Sequence, residues 1–320
     1  MKTNIFMLLL FVFAIFCPVS GQFADGNPTG LIRLSHAYLR AEPKHSSELV
    51  TEAVMGTPVC VLEKSQNGWY HIVTPDGYCC YVHPESVCLF DEETLSAWRN
   101  RKRFIYVELE GYIYEDKSDK APVVSDIFNG GIIMSDEDRG ADKRWAAVIL
   151  PDGRKGYIKR KEVHDFYYWS NIASQEDIRK SIDYIGMKMI GRTYLWGGCS
   201  YNVDCSGLTR VIYSANGILL PRDSGPQSKI GLQIPIDNKS SWQTGDLVFW
   251  ADDSGKVNHV GVYLKEEGKY LQCAGRVRIS SDQEEYTCHK PVVVRRIKGA
   301  GVEQGIIFFK DHPWYFPVKI

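Results

Sequence analysis

An internal repeat in the first half of the chain constrains the fold most strongly. Residues 31–89 contain short apolar runs with turn signals between them, and residues 104–164 repeat this pattern loosely. The segment Pro151-Asp-Gly-Arg-Lys-Gly-Tyr-Ile158 matches Pro75-Asp-Gly-Tyr-Cys-Cys-Tyr-Val82 position for position. Strands this short, at this spacing, are typical of small barrels. The repeat therefore predicts two related β-barrels, of which the second is the more diverged.

The N-terminal residues 1–21 are typical of a secretory signal. Lys2 precedes an apolar run over 5–16, and Val19-Ser-Gly21 fits the small-residue rule for cleavage. No later stretch approaches the roughly 18 apolar residues that a membrane-spanning helix needs. We therefore expect an exported protein, periplasmic or extracellular, without a membrane span. The net charge of −1 and the lack of a long basic block argue against nucleic-acid binding.

The second half of the chain has a different pattern of apolar residues from the first. Ser174 is the expected N-cap of a helix whose apolar residues recur at helical spacing over 178–189. Strand candidates follow at 246–250, 257–264, 269–274, 291–295 and 305–309. Helices first and an antiparallel sheet afterwards predict an α+β domain. The expected organisation is a signal peptide over 1–21, a first barrel over 22–90, a helical linker over 91–103, a second barrel over 104–168 and the α+β domain over 169–320.

Eight cysteines remain after the predicted signal, and their use is only partly determined. A disulfide within the set Cys60, Cys79, Cys80 and Cys88 is one option in an exported protein. No pair of cysteines has the two-residue separation typical of zinc or redox motifs. We therefore expect mostly small buried thiols and no metal or other cofactor.

Cys205 stands out from the other cysteines by its position. Asp204 is a strong N-cap residue, and the apolar residues that follow have helical spacing up to Asn216-Gly217. Cys205 is therefore predicted in the first turn of a helix, where unpaired N–H groups and the helix dipole favour a thiolate. The alternative is a buried structural cysteine.

A nucleophilic cysteine needs a base and a group that orients the base. His259 lies in a strand with clean alternation, on the face opposite Val260 and Val262, and Gly261 beside it leaves room. Gln272, in the next strand, falls near the cross-strand neighbour of His259 and can accept a hydrogen bond from the imidazole. The alternatives are a satisfied sheet histidine and an ordinary polar residue.

Five motifs in this order resemble the NlpC-type cell-wall cysteine peptidases, a papain-like family. They are Tyr194-Leu-Trp-Gly-Gly198, Asp204-Cys-Ser-Gly-Leu208, Pro221-Arg-Asp-Ser224 with Gln227, Gly245-Asp-Leu-Val-Phe249 and His259-Val-Gly-Val-Tyr263. The motifs cover roughly 174–310, and residues 39–82 resemble bacterial SH3-like domains. The resemblance implies a papain-like α+β domain preceded by two SH3-like barrels.

The resemblance also implies roles for particular residues. Cys205 would be the nucleophile, His259 the base and acid, and Gln272 the orienting residue, at a position where many members have His. Tyr194 would stabilise the oxyanion together with the Cys205 N–H. The alternative for Tyr194 is an aromatic core residue.

With both barrels, the chain resembles γ-D-glutamyl-L-diamino acid endopeptidases, which cut the γ-D-Glu to diaminopimelate or lysine bond of peptidoglycan stem peptides. These enzymes recognise a free N-terminal L-Ala, so the implied partner is a stem peptide. We separately expect a monomer. The implied contacts are Asp204, Ser206 and Ser224, with Glu48 and Tyr81 from the first barrel, or Glu42 and Tyr78 in their place. The alternatives are an inactive cell-wall-binding protein, or an amidase or acyltransferase that acts on another γ-linked substrate.

Overall fold

The first barrel is a seven-stranded antiparallel sheet. The computed structural model describes residues 27–139, 143–282 and 290–317. The strands are β1 (Gly30–Ile32), β2 (His36–Arg40), β3 (Leu49–Val54), β4 (Pro58–Lys64), β5 (Tyr70–Val73), β6 (Cys79–Val82) and β7 (Val87–Leu89). Their order in the sheet is β3-β2-β6-β5-β4-β1-β7. The buried face forms a small core that includes Ile32, Leu39, Val59, Ile72 and Val82.

The second barrel repeats the first strand for strand, as the sequence predicts. Its strands are β8 (Arg103–Tyr106), β9 (Glu110–Tyr114), β10 (Val123–Phe128), β11 (Ile132–Ser135), β12 (Trp145–Ile149), β13 (Lys155–Lys159) and β14 (Val163–Asp165). The sheet order β10-β9-β13-β12-β11-β8-β14 is the same as in the first barrel. The matching Pro-Asp-Gly segments form equivalent turns, in which Gly77 and Gly153 have φ values of 77° and 84°. Such positive φ values favour glycine, which explains the shared motif.

A short helix connects the barrels, where the linker is predicted. Helix α1 (Glu92–Asn100) begins at Asp91, whose side chain accepts a hydrogen bond from the Thr94 N–H, and it buries Leu95 and Trp98. After the second barrel the chain enters helix α2 (Phe166–Ala173), which contains the expected boundary at 168/169. This helix was not predicted. Its Phe166 and Trp169 pack into the core that also contains Trp98 of α1.

The α+β region has a six-stranded antiparallel sheet, and the fold class predicted from the sequence is confirmed. Its elements are α3 (Ile178–Ser181), α4 (Cys205–Ser214), β15 (Ile218–Leu219), α5 (Ser224–Gln227), β16 (Leu232–Gln233), β17 (Leu247–Ala251), β18 (Val257–Leu264), β19 (Lys269–Ala274), β20 (Arg276–Ser280), β21 (Val293–Arg296) and β22 (Ile307–Phe308). The sheet order is β16-β21-β17-β18-β19-β20. Helix α4 shares one hydrophobic core with the Val260 and Val262 face of β18, so the sheet supports the helix that begins at Cys205.

The structure corrects three details of the predicted elements. Asp177, not Ser174, caps α3, and Ser174 ends the preceding helix α2. The apolar run over 178–189 continues after α3 as one π-helical and one 3₁₀ segment. The strand expected at 305–309 is not part of the main sheet. It pairs with β15, the short strand that follows α4 in the chain, and the two form a separate two-stranded sheet. Strand β20, which closes one edge of the main sheet, was not predicted.

The first barrel docks on the α+β region through the turn between β5 and β6. Asp76 in this turn forms a buried ion pair with Arg210 of α4, at 2.7 Å. The C-terminal segment crosses the same turn: the His312 ring Nε2–H donates to the Pro75 carbonyl at 2.9 Å, and Trp314 packs in a cluster with Val73. The barrel is therefore held against the helix that carries Cys205.

His312 should make this docking sensitive to acid. Its Nδ1 accepts a hydrogen bond from the Trp314 N–H, so a second ring proton would break that bond, and burial lowers the pKa of His312 to about 4. An unfolded histidine has a pKa near 6.5, so the unfolded state binds more protons between pH 6.5 and 4, and stability falls as the pH falls through that window. We expect the drop in the free energy of unfolding from pH 7 to 4.5, measured by urea denaturation, to be about 2 kcal/mol smaller in His312→Asn. An unchanged drop would contradict this assignment.

Within residues 27–139, 143–282 and 290–317, no helix is long and apolar enough to cross a membrane. Cys60, Cys80 and Cys88 are free thiols, so the disulfide considered for the first barrel does not join any two of them. Cys288 and the predicted signal peptide lie outside the described residues.

Candidate active site

Cys205 occupies the first position of α4, as predicted. Its side chain is buried, and the nearby backbone N–H groups of Val260 and Ser206 act to lower the pKa of the thiol. The expected thiolate is not supported, because burial, followed by the negative charge of Asp204, raises the pKa of Cys205 to about 12. The Ser206 N–H at the start of α4 lowers the pKa of the thiol, but by less than burial raises it. The thiol therefore needs a base to remove its proton during the reaction.

His259 is placed to act as that base. It lies in β18 directly before Val260, which packs in one hydrophobic core with Cys205. Burial lowers the pKa of His259 to about 4, so its imidazole is neutral at neutral pH and can accept a proton. The structure therefore brings together two neutral groups, a thiol and an imidazole.

Gln272 orients His259. The two side chains share a face of the sheet, with Nε2 of His259 and Oε1 of Gln272 2.5 Å apart. The Gln272 amide group donates to Ser280 Oγ at 2.8 Å, which directs the amide oxygen towards the imidazole. Because that oxygen can only accept, His259 carries its proton on Nε2, and Nδ1 is the basic nitrogen. The register partner of Gln272 is Gly261, so Gln272 lies diagonal to His259 rather than directly opposite it.

Asp204 both caps α4 and forms a buried ion pair with Arg222. One carboxylate oxygen accepts from the Gly207 N–H at 2.7 Å, and the other accepts from the Gly197 N–H at 3.0 Å. Arg222 donates to both oxygens, at 3.1 and 2.5 Å, and also to Ser206 Oγ at 2.9 Å. Asp204 and Ser206 therefore have most of their hydrogen-bonding capacity occupied before any ligand binds.

The loop before α4 packs closely against the first barrel. Gly197 has a φ of 81°, and a Cβ atom there would lie 2.2 Å from the Leu49 carbonyl oxygen, so both its backbone conformation and its contact require glycine. Glu48 accepts a hydrogen bond from Trp196 Nε1 at 2.7 Å. In the same loop, burial raises the pKa of Tyr194 and the Cys205 sulfur adds to the rise, which keeps its hydroxyl protonated as a donor near the nucleophile.

The two tyrosines considered in the first barrel lie in different places. Tyr81 stacks on His71 at 4.6 Å and is influenced by Glu63, within the barrel itself. Tyr78 instead lies near Asp223 and Arg222, whose charges shift its pKa in opposite directions. Of the two, Tyr78 is therefore the tyrosine near the Asp223 and Arg222 charges, and a role of either tyrosine in substrate binding stays a prediction. Glu42 is exposed and paired with Lys44.

Sequence reasoning also missed Asp223, which lies beside the buried Ser224. Asp223 precedes α5, but its carboxylate makes no capping hydrogen bond to that helix. Partial burial raises the pKa of Asp223, with the charge of Arg222 opposing the rise. The sequence could have pointed to Asp223. In the motif Pro221-Arg-Asp-Ser224, an arginine and a carboxylate directly precede the serine that was predicted to contact the substrate.

The fold and this arrangement define a cysteine peptidase domain of the papain-like type, with two SH3-like barrels before it. The family comparisons agree with this class. Residues 191–296 match the NlpC/P60 family, and residues 39–87 match the bacterial dipeptidyl-peptidase SH3 domain. The chain belongs to the NlpC/P60 cysteine peptidase family.

Two curated relatives and one solved structure are similar to this chain over most of its length. The chain is 32% identical to a γ-D-glutamyl-L-lysine dipeptidyl-peptidase of Bacillus cereus over 69% of its own length and 66% of that protein. It is 26% identical to dipeptidyl-peptidase 6 of Lysinibacillus sphaericus, over 83% of this chain and 96% of that protein. The fold matches the crystal structure of an NlpC/P60 family protein from Bacillus cereus with a TM-score of 0.72 and 22% identity, over 84% of this chain and 99% of that chain.

Proposed function

We propose that the protein is a cysteine peptidase that cleaves the γ-D-Glu to L-diamino acid bond of peptidoglycan stem peptides with a free N-terminal L-Ala. The proposal rests mainly on the packing of the buried Cys205 in one core with Val260 of β18, directly after a His259 that is hydrogen-bonded to Gln272. The name of the Bacillus cereus relative, a γ-D-glutamyl-L-lysine dipeptidyl-peptidase, supports the choice of bond. Such substrates place the protein outside the cytoplasm, in murein turnover or recycling.

The reaction follows from the protonation states at the site. As the thiol attacks the γ-carbonyl carbon of D-Glu, its proton moves to Nδ1 of His259 and a carbon–sulfur bond forms. The Tyr194 hydroxyl and the Cys205 N–H stabilise the resulting oxyanion. Collapse of this intermediate breaks the carbon–nitrogen bond, and His259 returns the proton to the leaving amine of the diamino acid. Water, deprotonated by His259, then hydrolyses the thioester and regenerates the thiol.

We further propose that the free amine of L-Ala binds between Ser224 and the first barrel. Asp204 is already used by five donors, so it acts chiefly by holding Ser206 and Arg222. Asp223 supplies the open carboxylate, and Tyr78 closes the pocket from the barrel side. An N-acetyl group would remove the charge of the amine and add bulk where the barrel blocks the cleft.

The free-amine requirement can be tested with two substrates and a matched pair of tyrosine variants. We expect L-Ala-γ-D-Glu-L-Lys to be cleaved at least about 100-fold faster than its N-acetyl form, measured as kcat/KM by product release. Asp223→Asn and Tyr78→Phe should each lower kcat/KM for the free peptide about tenfold, because a charge-assisted contact is lost. Tyr81→Phe, the control, should behave as wild type. Equal cleavage of the acetylated peptide would contradict the amine subsite.

A further inference from the structure

A cavity of about 250 Å³ lies where the two barrels meet the loop before α4. The first barrel contributes His36, Tyr38 and Glu52, and the second contributes residues of β9 and β10. Leu195, Tyr201 and Asn202 of the loop complete the wall. We call this cavity the inter-barrel groove. The Cys205 mechanism described above makes no use of it.

The two barrels present the same pair of residues to the groove. In the first barrel, Tyr38 of β2 is the register partner of Glu52 of β3. In the second barrel, Tyr112 of β9 is the register partner of Asp126 of β10. Strands β2 and β9 are equivalent in the two sheets, as are β3 and β10, so each barrel contributes one tyrosine and one carboxylate at matching positions. The rings of His36 and Phe128 meet between the barrels at 5.1 Å.

The groove is suited to a cation. Its described lining includes three carboxylates and neither a lysine nor an arginine. Glu110 pairs with the adjacent Arg192 at 3.2 Å, and one oxygen of Glu52 accepts from the Cys199 N–H and the Ser200 hydroxyl, so Asp126 is the carboxylate most open to a ligand. Neither Glu52 nor Asp126 has an ion-pair partner among the described residues. Tyrosine faces attract cations, and two arginines of the chain itself already lie on groove rings: Arg40 on Tyr38 and Arg192 on Tyr201, at 5.7 and 4.3 Å.

The exposed tyrosine rings and the buried histidine nitrogen of the groove favour a small ammonium group over a large planar cation. Tyr38 and Tyr112 are each about half exposed, at 50% and 51%. The Nδ1 atom of His36 is buried and has no hydrogen-bond partner among the described residues, so it is available to a donor on the ligand. A primary ammonium group has three N–H donors on a compact head, which matches a carboxylate, a histidine nitrogen and a ring face.

We propose that the inter-barrel groove is a second binding site, for a peptide segment that carries a side-chain primary ammonium group. Asp126 and Glu52 provide the charge, and Tyr38 and Tyr112 contact the aliphatic stem and the ammonium head. The choice of a peptide as ligand rests on the proposed function, since a stem peptide with a diamino acid has such a side chain. The chemistry of the groove itself does not depend on peptide cleavage.

Binding can be measured in the absence of any reaction. The protein is the full chain with Cys205→Ala, and the probes are Nα-acetyl-L-lysine amide and the same compound acetylated on Nε. Both probes lack a free α-amine, so neither satisfies the proposed L-Ala subsite. Titration followed by saturation-transfer NMR should give a Kd for the first probe that is at least about fivefold lower than for the second, and the affinity should fall with added salt.

Variants locate the site and separate it from the catalytic cleft. Asp126→Asn should weaken the lysine probe by roughly fivefold to tenfold, because one charge-assisted contact is lost. Asp116→Asn removes an exposed carboxylate at the β9–β10 turn of the same barrel and should leave the Kd unchanged. Equal binding of the two probes, no binding of either, or no effect of Asp126→Asn would overturn the proposal. So would tighter binding of a neutral N-acetylglucosamine oligomer that is insensitive to Asp126→Asn, which would make the groove a glycan site.

Discussion

Replacing Cys205 by Ala should lower the release of L-Ala-γ-D-Glu from L-Ala-γ-D-Glu-L-Lys by about 10⁴-fold or more, measured as kcat by chromatography of the products. The loss is expected to be this large because the covalent route disappears completely, whereas other changes at the site weaken one of its steps. Cys205→Ser should be nearly as inactive, since a serine hydroxyl is far less acidic than a thiol and His259 is a weak base.

Cys199 offers a matched control in the same loop. It is also a cysteine with a raised pKa from burial, and its sulfur donates to the Glu52 carbonyl at 3.2 Å. A serine hydroxyl can make the same hydrogen bond, so Cys199→Ser should retain most of the wild-type activity. Substantial release of the dipeptide by the Cys205→Ala protein would exclude Cys205 as the nucleophile, whatever the control shows.

The largest effect on stability is expected from the ion pair of Arg222 and Asp204. The Arg222 side chain is 1% exposed and that of Asp204 9%, so removing the guanidinium leaves a carboxylate buried without its counter-charge. We expect Arg222→Met to lower the free energy of unfolding by about 3–5 kcal/mol in urea denaturation. Arg222→Lys should restore only part of this loss, because an ammonium cannot donate to both carboxylate oxygens and to Ser206 in the same fork geometry.

Two further variants test the cause of that loss. In the double variant Asp204→Asn with Arg222→Met the buried charge is gone, so the double variant should be less destabilised than the sum of the single changes. Arg179→Met removes an arginine that pairs with Glu266 and Glu267 at the surface, and it should cost at most about 1 kcal/mol. If Arg222→Met is no more harmful than Arg179→Met, the pair is not a major source of stability.

The local parts of the candidate site could be predicted because their signals are local. Asp204 as a cap and Cys205 in the first turn of α4 depend on neighbouring residues and helical spacing, and the structure has both. The pairing of His259 with Gln272 follows from strand alternation and a short turn, and the hydrogen bond between them is present. The same reasoning missed α2, which Asp165 caps and whose Phe166 and Trp169 pack into a core shared with α1.

The thiol pKa shows where local reasoning fails. A helix N-terminus by itself lowers the pKa of a cysteine, and this led to the expectation of a thiolate. In the folded protein the sheet and the loop bury the sulfur, and desolvation exceeds the effect of the helix. Local reasoning also could not decide which of Tyr78 and Tyr81 lies near Asp223. The residues of a barrel that face another domain depend on how the two dock, and docking leaves no periodic signal in the sequence.

The sequence by itself determined the repeat of two barrels, the α+β class of the last region, the place of Cys205 at the start of α4 and the pairing of His259 with Gln272. Turns, caps and alternation act over a few residues, which is why these features could be predicted. The tertiary structure alone decided the protonation of the thiol, the pairing of Arg222 with Asp204 and the position of Tyr78 beside Asp223. It also decided the inter-barrel groove. Each of these features depends on the burial of side chains or on charges brought together from distant parts of the chain. Burial and charge proximity of this kind arise only when the domains pack.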